Sequence, residues 1–544
     1  VTSIRSSHAR GAAALLIALG LSPFAQAQVF DYDLQGPTTP AYFGYDINRI
    51  GDLDRDGCED FIVGAPKKQG VSDDGEAIVF SGSTGAVLAT LDGNTNSLLG
   101  ASVDGRIDAD GDGYPDVLVG AFNDASGGRV VVFSPHQNKI LLDLYGTGPE
   151  NLGASVRSLL DDIDGDGVND FIAGADTADK AYVYSGATGA VIFTKTGQSG
   201  AFFGYSVSAG GDMDGDGVHD FLIGAPWHVG SGGKQTGRVT AWSGKDGSQL
   251  WGTDGAADSL FGFSLAHPGD LDGDGRGDCV VGAPNHLDPN GNYTGAVIAL
   301  SGASGSAIYK VYGDQALDDF GSSVRGMSGD VDQDGTDDFI AGALFSNGDV
   351  GYARLFSGAT GNVLFTYYEK TSDPSVASCY GAAVAGGDVD GDGRTDVLIG
   401  GSCFDFNTGI VETWITAVAK WYTYGNGWSG TLGVPMLTGL TNPVVGQSLS
   451  LSLSNSAGVT TVGLLLIGVN SAAIPTGKGG TLLVAPLLYI PVSLPPGGLT
   501  LTGSIPNDPS LYGFDLYLQG LELDAGASKG LSFTPGLDLY FGFP

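Results

Sequence analysis

The sequence predicts an all-β chain, a seven-bladed β-propeller followed by a C-terminal β-sandwich. Three observations predict it. A nine-residue acidic loop, Asp-x-Asp-x-Asp-Gly-x-x-Asp, is written seven times, beginning at Asp52, Asp108, Asp162, Asp212, Asp270, Asp330 and Asp388. Successive starts lie 56, 54, 50, 58, 60 and 58 residues apart, a spacing that marks a repeat architecture. The stretches between loops are short, β-branched or aromatic, and bounded by glycine, of which the chain has 92. Such stretches read as strands.

Taken in chain order, the first element is a targeting segment. Arg5 and Arg10 precede the apolar run Gly11–Leu21, and Ala25-Gln26-Ala27 supplies small residues for cleavage. Residues 1–27 read as a secretory signal peptide, the mature chain beginning near Gln28. The apolar run is too short to span a bilayer, and no other stretch reads as a membrane span.

The repeats follow over residues 28–420. Before each acidic loop stands an aromatic residue or Leu with Gly: Phe43-Gly44, Leu99-Gly100, Leu152-Gly153, Phe203-Gly204, Phe261-Gly262, Phe320-Gly321 and Tyr380-Gly381. After it comes an apolar run ending in Gly, intact as Gly-Ala-Pro at 64–66, 224–226 and 282–284. A third run closes on a Ser-Gly turn, as in Ala77–Gly82, and a fourth follows, as in Ala86–Leu91. Four short strands cannot bury both faces of their sheet alone. Seven such sheets packed around an axis can, and they leave only protected edges. The seventh repeat has a third run near Ile410–Val418 but no obvious fourth. The orphan run Val29–Leu34 is expected to supply it and close the ring.

Near Trp421 the pattern stops. Residues 421–427 read as a linker and 428–544 as the sandwich, with runs Ser448–Leu453, Thr481–Tyr489, Leu499–Ser504, Tyr512–Leu521 and Leu531–Phe541.

The loops carry the chemistry. Positions one, three, five and nine of each offer carboxylates and position seven a backbone carbonyl: Asp52, Asp54, Asp56, Cys58 and Asp60 in the first copy, then Asp108, Asp110, Asp112, Tyr114 and Asp116. The third and fourth are Asp162, Asp164, Asp166, Val168 and Asp170, then Asp212, Asp214, Asp216, Val218 and Asp220. The fifth is Asp270, Asp272, Asp274, Arg276 and Asp278, and the sixth Asp330, Asp332, Asp334, Thr336 and Asp338. The seventh is Asp388, Asp390, Asp392, Arg394 and Asp396. Four carboxylates in nine residues repel one another unless a hard cation lies between them, and an all-oxygen donor set suits Ca²⁺. About seven structural Ca²⁺ ions per chain are expected. An EF-hand would need Glu at position twelve, where this chain has Val63, Val119, Ala173, Ile223, Val281, Ala341 and Ile399 inside strand runs.

These residues resemble the FG-GAP repeat of integrin α-subunit N-terminal propellers and of many bacterial secreted proteins, over roughly residues 29–420. The resemblance implies the propeller fold, calcium in the loops, and a ligand face opposite them. On that face Trp227-His228 and Asn285-His286 follow Gly-Ala-Pro at the same register in neighbouring blades. They are candidates to contact sugar or peptide. Arg276-Gly277-Asp278 spells an integrin-ligand tripeptide, but Asp278 is position nine of a cation loop.

Composition narrows the function. Lys+Arg 24 against Asp+Glu 61 gives a net charge of −37, and positions one, three, five and nine of the seven loops hold 28 of those acids. That surface argues against nucleic acid or anionic membrane as the main partner. Four cysteines are too few for a disulfide scaffold. A Cys379–Cys403 bridge and two buried free thiols are both compatible with their placement. No nucleophile elbow, zinc spacing or phosphate loop stands out, so no catalytic residue is assigned. The sequence reading is a secreted or cell-surface, calcium-binding propeller acting as a non-catalytic binding or adhesion protein for an extracellular protein or glycan. The alternative is an extracellular enzyme acting on polysaccharide.

Overall fold

The computed structural model describes residues 28–36, 41–67, 73–327, 329–345, 350–369, 378–403, 408–416, 419–506, 511 and 514–542; the expected signal peptide lies outside them. Contacts divide the chain into two compact units at Ile415/Thr416.

The first unit is a seven-bladed propeller of four-stranded sheets. The first blade is Ile47–Gly51, Asp60–Ala65, Glu76–Phe80 and Val87–Asp92, paired in chain order. Its second strand is buried at every residue, whereas its fourth is mostly exposed or half-buried. That gradient explains the continuous apolar runs after each loop: the second strand is covered on both faces by neighbouring blades. The first strands of successive blades touch in an unbroken cycle and so line the axis.

The seventh blade takes Tyr380–Gly387, Asp396–Gly401 and Ile410–Thr416 from its own repeat. Its fourth strand is the N-terminal segment Gln28–Gln35, beside Ile410–Thr416. The core at this junction joins Phe43, Ile47, Phe61 and Val63 of the first blade to Ala383, Leu398 and Val411 of the seventh, with Leu34 packed against it.

The two glycines of each repeat have one packing reason. The N–H of Gly44 donates to the carbonyl of Gly64 (3.1 Å), and Gly204 does the same to Gly224 (3.0 Å). The second-strand glycine then lies flat against the next blade. A Cβ on Gly64, Gly120, Gly174, Gly224, Gly282, Gly342 or Gly400 would overlap the carbonyl oxygen of Gly100, Gly153, Gly204, Gly262, Gly321, Gly381 or Gly44 respectively. The last pair closes the circle. Since the obstacle is backbone, Gly224→Val is expected to destabilise the propeller by about 3 kcal/mol, as overpacking does. Thermal melting checks this, and an unchanged melting temperature would contradict the close approach.

The second unit is a β-sandwich. One sheet orders Lys420–Tyr424, Gly536–Tyr540, Asp515–Leu523, Thr461–Gly468 and Leu488–Leu494, with Leu531–Phe533 also on Asp515–Leu523. The other is Leu437–Gly439, Ser448–Leu453 and Leu499–Ser504. Leu451 and Leu453 from the second meet Leu465, Ile467, Leu518, Leu537 and Leu539 from the first in one core. Two expected runs are each split by a proline: Thr481–Tyr489 at Pro486, and Leu531–Phe541 at Pro535. Proline has no N–H for the ladder. The expected linker 421–427 is corrected: Lys420–Tyr424 is a strand paired with Gly536–Tyr540, and Trp421 packs on the sandwich core. Its partner lies more than a hundred residues away, so no local signal marks it.

Candidate functional site

Each acidic loop joins the first strand of its blade to the second, so all seven lie at one end of the propeller. Their backbones organise the carboxylates before any ion is considered. In every loop the N–H of the position-six glycine donates to Oδ2 of position one, at 2.7–3.0 Å. The N–H of position seven donates to Oδ1 of position five, at 2.9–3.0 Å. The N–H of position two donates to Oδ2 of position nine, at 2.7–3.0 Å. Position six has positive φ in all seven, +80° to +99°, which favours glycine there. Position four is also left-handed throughout, and in the first and sixth loops Arg55 and Gln333 occupy it at +62°.

Position nine is the buried member. Asp60, Asp116, Asp170, Asp220, Asp278, Asp338 and Asp396 are each 0 % exposed. In five blades the Ser-Gly turn between third and fourth strands supplies their second partner. Gly82, Gly186, Gly244, Gly302 and Gly358 donate N–H to Oδ1 of position nine, at 2.7–3.0 Å. In the sequence Ser-Gly reads only as a turn, and nothing local signals this role. The second blade has Pro135 in that place, with no N–H, and Asp116 Oδ1 is buried without a hydrogen-bond partner. Burial pushes the Asp116 carboxyl up to about 7, and Asp338, which keeps its Gly358 donor, equally far; Asp60, Asp170, Asp220 and Asp278 rise to about 6 from the same cause. The outer oxygen of position five is also engaged from the third-to-fourth-strand turn: Ser185 Oγ donates to Asp166 (2.9 Å) and Ser357 Oγ to Asp334 (3.0 Å).

Ligating oxygens of positions one, three and nine lie within 4.8 Å of one another in the first, second, fourth and fifth loops, and in the third Asp166 joins them. Such hard-oxygen sets fit a divalent cation. In the seventh loop Asp388 Oδ1 is buried with no hydrogen-bond partner among the described residues, an acceptor that a cation would satisfy. The Asp278 carboxylate accepts from the N–H groups of Leu271, Asp272 and Gly302, so the acid of Arg276-Gly277-Asp278 faces inward.

The raised carboxyls set a pH prediction for chelated protein. Their folded values exceed the ordinary one, so the folded chain binds more protons than the unfolded chain, and stability falls as pH rises between about 4 and about 7. Acidifying metal-free protein from about pH 7 to about pH 5 should therefore raise its melting temperature, while with calcium present protons compete with the ion and lower it. Melting curves of the same sign in both conditions would contradict this.

The four residues expected on the opposite face sit after the second strands, and each is held by its own partners. Trp227 packs on Phe202 and Tyr205, with ring centroids 4.9 and 5.3 Å away, and Tyr205 continues to Phe263 at 4.9 Å. His228 Nε2 lies 3.7 Å from Asp254. Asn285 donates to the Asp258 carbonyl (2.6 Å), and buried His286 faces Tyr312. Burial lowers both imidazoles, so they favour the neutral form. The residues before each aromatic-Gly pair, Tyr42, Leu98, Asn151, Phe202, Leu260, Asp319 and Cys379, all have φ between +50° and +57° on this face. Cys379 is bonded to Cys403 there, while Cys58 and Cys279 are free and buried.

The FG-GAP repeat family model matches residues 203–242. The chain is 36% identical over 124 residues to integrin alpha-IIb of Homo sapiens, 22% of this chain and 10% of that protein. It is 30% identical over 148 residues to integrin alpha-6 of Gallus gallus, 25% of this chain and 14% of that protein. It is 40% identical over 89 residues to integrin alpha-5 of Xenopus laevis, 15% of this chain and 8% of that protein. The matched part thus spans between 8% and 14% of the length of these relatives.

Proposed function

We propose that this FG-GAP repeat protein is an extracellular, calcium-loaded propeller that binds a protein or glycan without catalysis. The loops stiffen one end of each blade, and the opposite end is left for recognition. The observation that carries the reading is the aromatic group Phe202, Trp227, Tyr205 and Phe263 on that opposite end, where the fourth blade meets the fifth. Phe202 is 37 % exposed on a left-handed backbone, a conformation that surrounding structure must hold in place. A rigid aromatic surface with nearby His228 suits the face of a sugar ring or an apolar side chain. The similarity to integrin alpha chains favours adhesion-type binding. Among the described residues no helix is long and apolar enough to cross a membrane.

The test is a binding screen over glycans and extracellular proteins with calcium present. Trp227→Ala and Phe202→Ala should weaken any ligand found by about tenfold or more, as truncated aromatic anchors do. Binding indifferent to both substitutions, or turnover of a bound polysaccharide, would overturn the reading.

A further inference from the structure

The acidic loops are joined to one another as well as to their own blades. The joints share one pattern: positions six to eight of a loop meet the first positions of the loop before it in the ring. The Glu59 N–H, at position eight of the first loop, donates to the Asp388 carbonyl, at position one of the seventh (2.7 Å). The Glu59 carboxylate accepts the Asp388 N–H in return (3.1 Å). The Gly277 N–H, at position eight of the fifth loop, donates to the Asp212 carbonyl, at position one of the fourth (3.1 Å). The His219 N–H of the fourth loop donates to the carboxylate of Asp161 (2.8 Å), the residue before position one of the third.

Long side chains add to these bonds. Arg55, at position four of the first loop, lies over the Tyr114 ring of the second (3.9 Å) and donates to the Gly113 carbonyl (3.3 Å). Arg276 of the fifth loop donates to the Met213 carbonyl of the fourth (3.0 Å). With its amide turned to suit, Gln333 of the sixth loop accepts from both terminal nitrogens of Arg394 in the seventh (2.8 and 2.9 Å). Five of the seven junctions are bridged by these contacts.

The backbone bonds give one peptide group a part in two loops. Its carbonyl belongs to position seven, the expected backbone donor to its own loop's cation, and its N–H belongs to position eight. In a planar trans peptide the two point opposite ways. The Cys58–Glu59 peptide thus serves the first loop with its oxygen and holds Asp388 of the seventh with its N–H. The Arg276–Gly277 peptide does the same for the fifth and fourth. Hydrogen-bonded groups polarise one another, so a carbonyl drawn toward a cation makes its own N–H the stronger donor. Filling either loop therefore favours filling the other. Charge opposes this, because a filled neighbour attracts the next cation less than an empty one. Salt damps that opposition over about 8 Å at about 0.15 M and leaves bonds between touching loops largely intact.

We propose that neighbouring acidic loops take up calcium cooperatively, coupled through the position-eight peptide and the arginine bridges. The proposal rests on the calcium reading given above. Coupling of about fivefold per junction, at the low end of ordinary linkage, corresponds to a Hill coefficient of about 2.

The test uses the full chain, stripped of calcium and shown to be folded by circular dichroism, then titrated with calcium by equilibrium dialysis. The wild type should bind with a Hill coefficient of about 2. Arg55→Ala with Glu59→Pro cuts both junctions of the first loop, and the second loop already carries Pro115 at position eight. The double variant should keep the ion count while one ion binds separately, at least about fivefold more weakly. A Hill coefficient near one in folded wild type, or an isotherm unchanged in the variant, would overturn the coupling and leave the calcium reading standing. Absence of bound calcium would remove both. Should the double variant fail to fold, Arg55→Ala alone, with its exposed side chain, should lower the slope, and an unchanged slope there would overturn the coupling.

Discussion

Chelating calcium should lower the melting temperature of the propeller by about 15 °C and open residues 44–400 to protease. The magnitude follows from linkage. An extracellular-type site with Kd near 10⁻⁴ M, held in about 2 mM calcium, contributes about 1.8 kcal/mol through mass action. Seven such sites contribute about 12 kcal/mol, and a propeller of this length unfolds with an entropy of about 0.8 kcal/mol per degree. The loops show why loss of the ion matters. Asp60 and its six equivalents are fully buried, and with the ion gone desolvation and their neighbours' charges push Asp60, Asp116, Asp170, Asp220, Asp278 and Asp338 toward protonation. A melting curve and digestion pattern unchanged by chelator would remove calcium from the account of stability.

Deleting residues 28–36 should be nearly as damaging. The segment supplies the fourth strand of the last blade. Without it, Ile410–Thr416 becomes an open edge, although that strand buries Val411 and Trp414. Open strand edges recruit other chains, so the truncated protein should lose soluble yield and form oligomers. Removing residues 420–544 should instead leave a folded propeller, because the chain divides at Ile415/Thr416. A short deletion silent in melting temperature and in size-exclusion behaviour would contradict closure by this strand.

The propeller was legible because its signals repeat. One loop of Asp-x-Asp-x-Asp-Gly is ambiguous, but seven at a nearly fixed period, each between two strand-like runs, leave few architectures. The missing fourth strand of the last repeat pointed to the N-terminal run for the same reason. Convergence of positions one, three and nine follows from the spacing with a glycine at position six. What the sequence hid depends on neighbours distant in the chain. Gly64 looks like a turn residue until Gly100 of the next blade is seen against it. Pro135 looks like an ordinary loop residue until Asp116 is found without its second donor. Trp421 looked like linker because Leu539, its strand partner, comes at the far end of the chain. Trp227 and Asn285 share a register but not a partner, since register places residues on a face without deciding which side chains meet.

If the acidic loops are cation sites, the bound ions can be counted. Protein dialysed against calcium-free buffer, re-equilibrated in millimolar calcium and measured by elemental analysis should hold about seven ions per chain, one for each Asp-x-Asp-x-Asp-Gly loop. A count of about two or fewer, in protein shown to be folded, would contradict it.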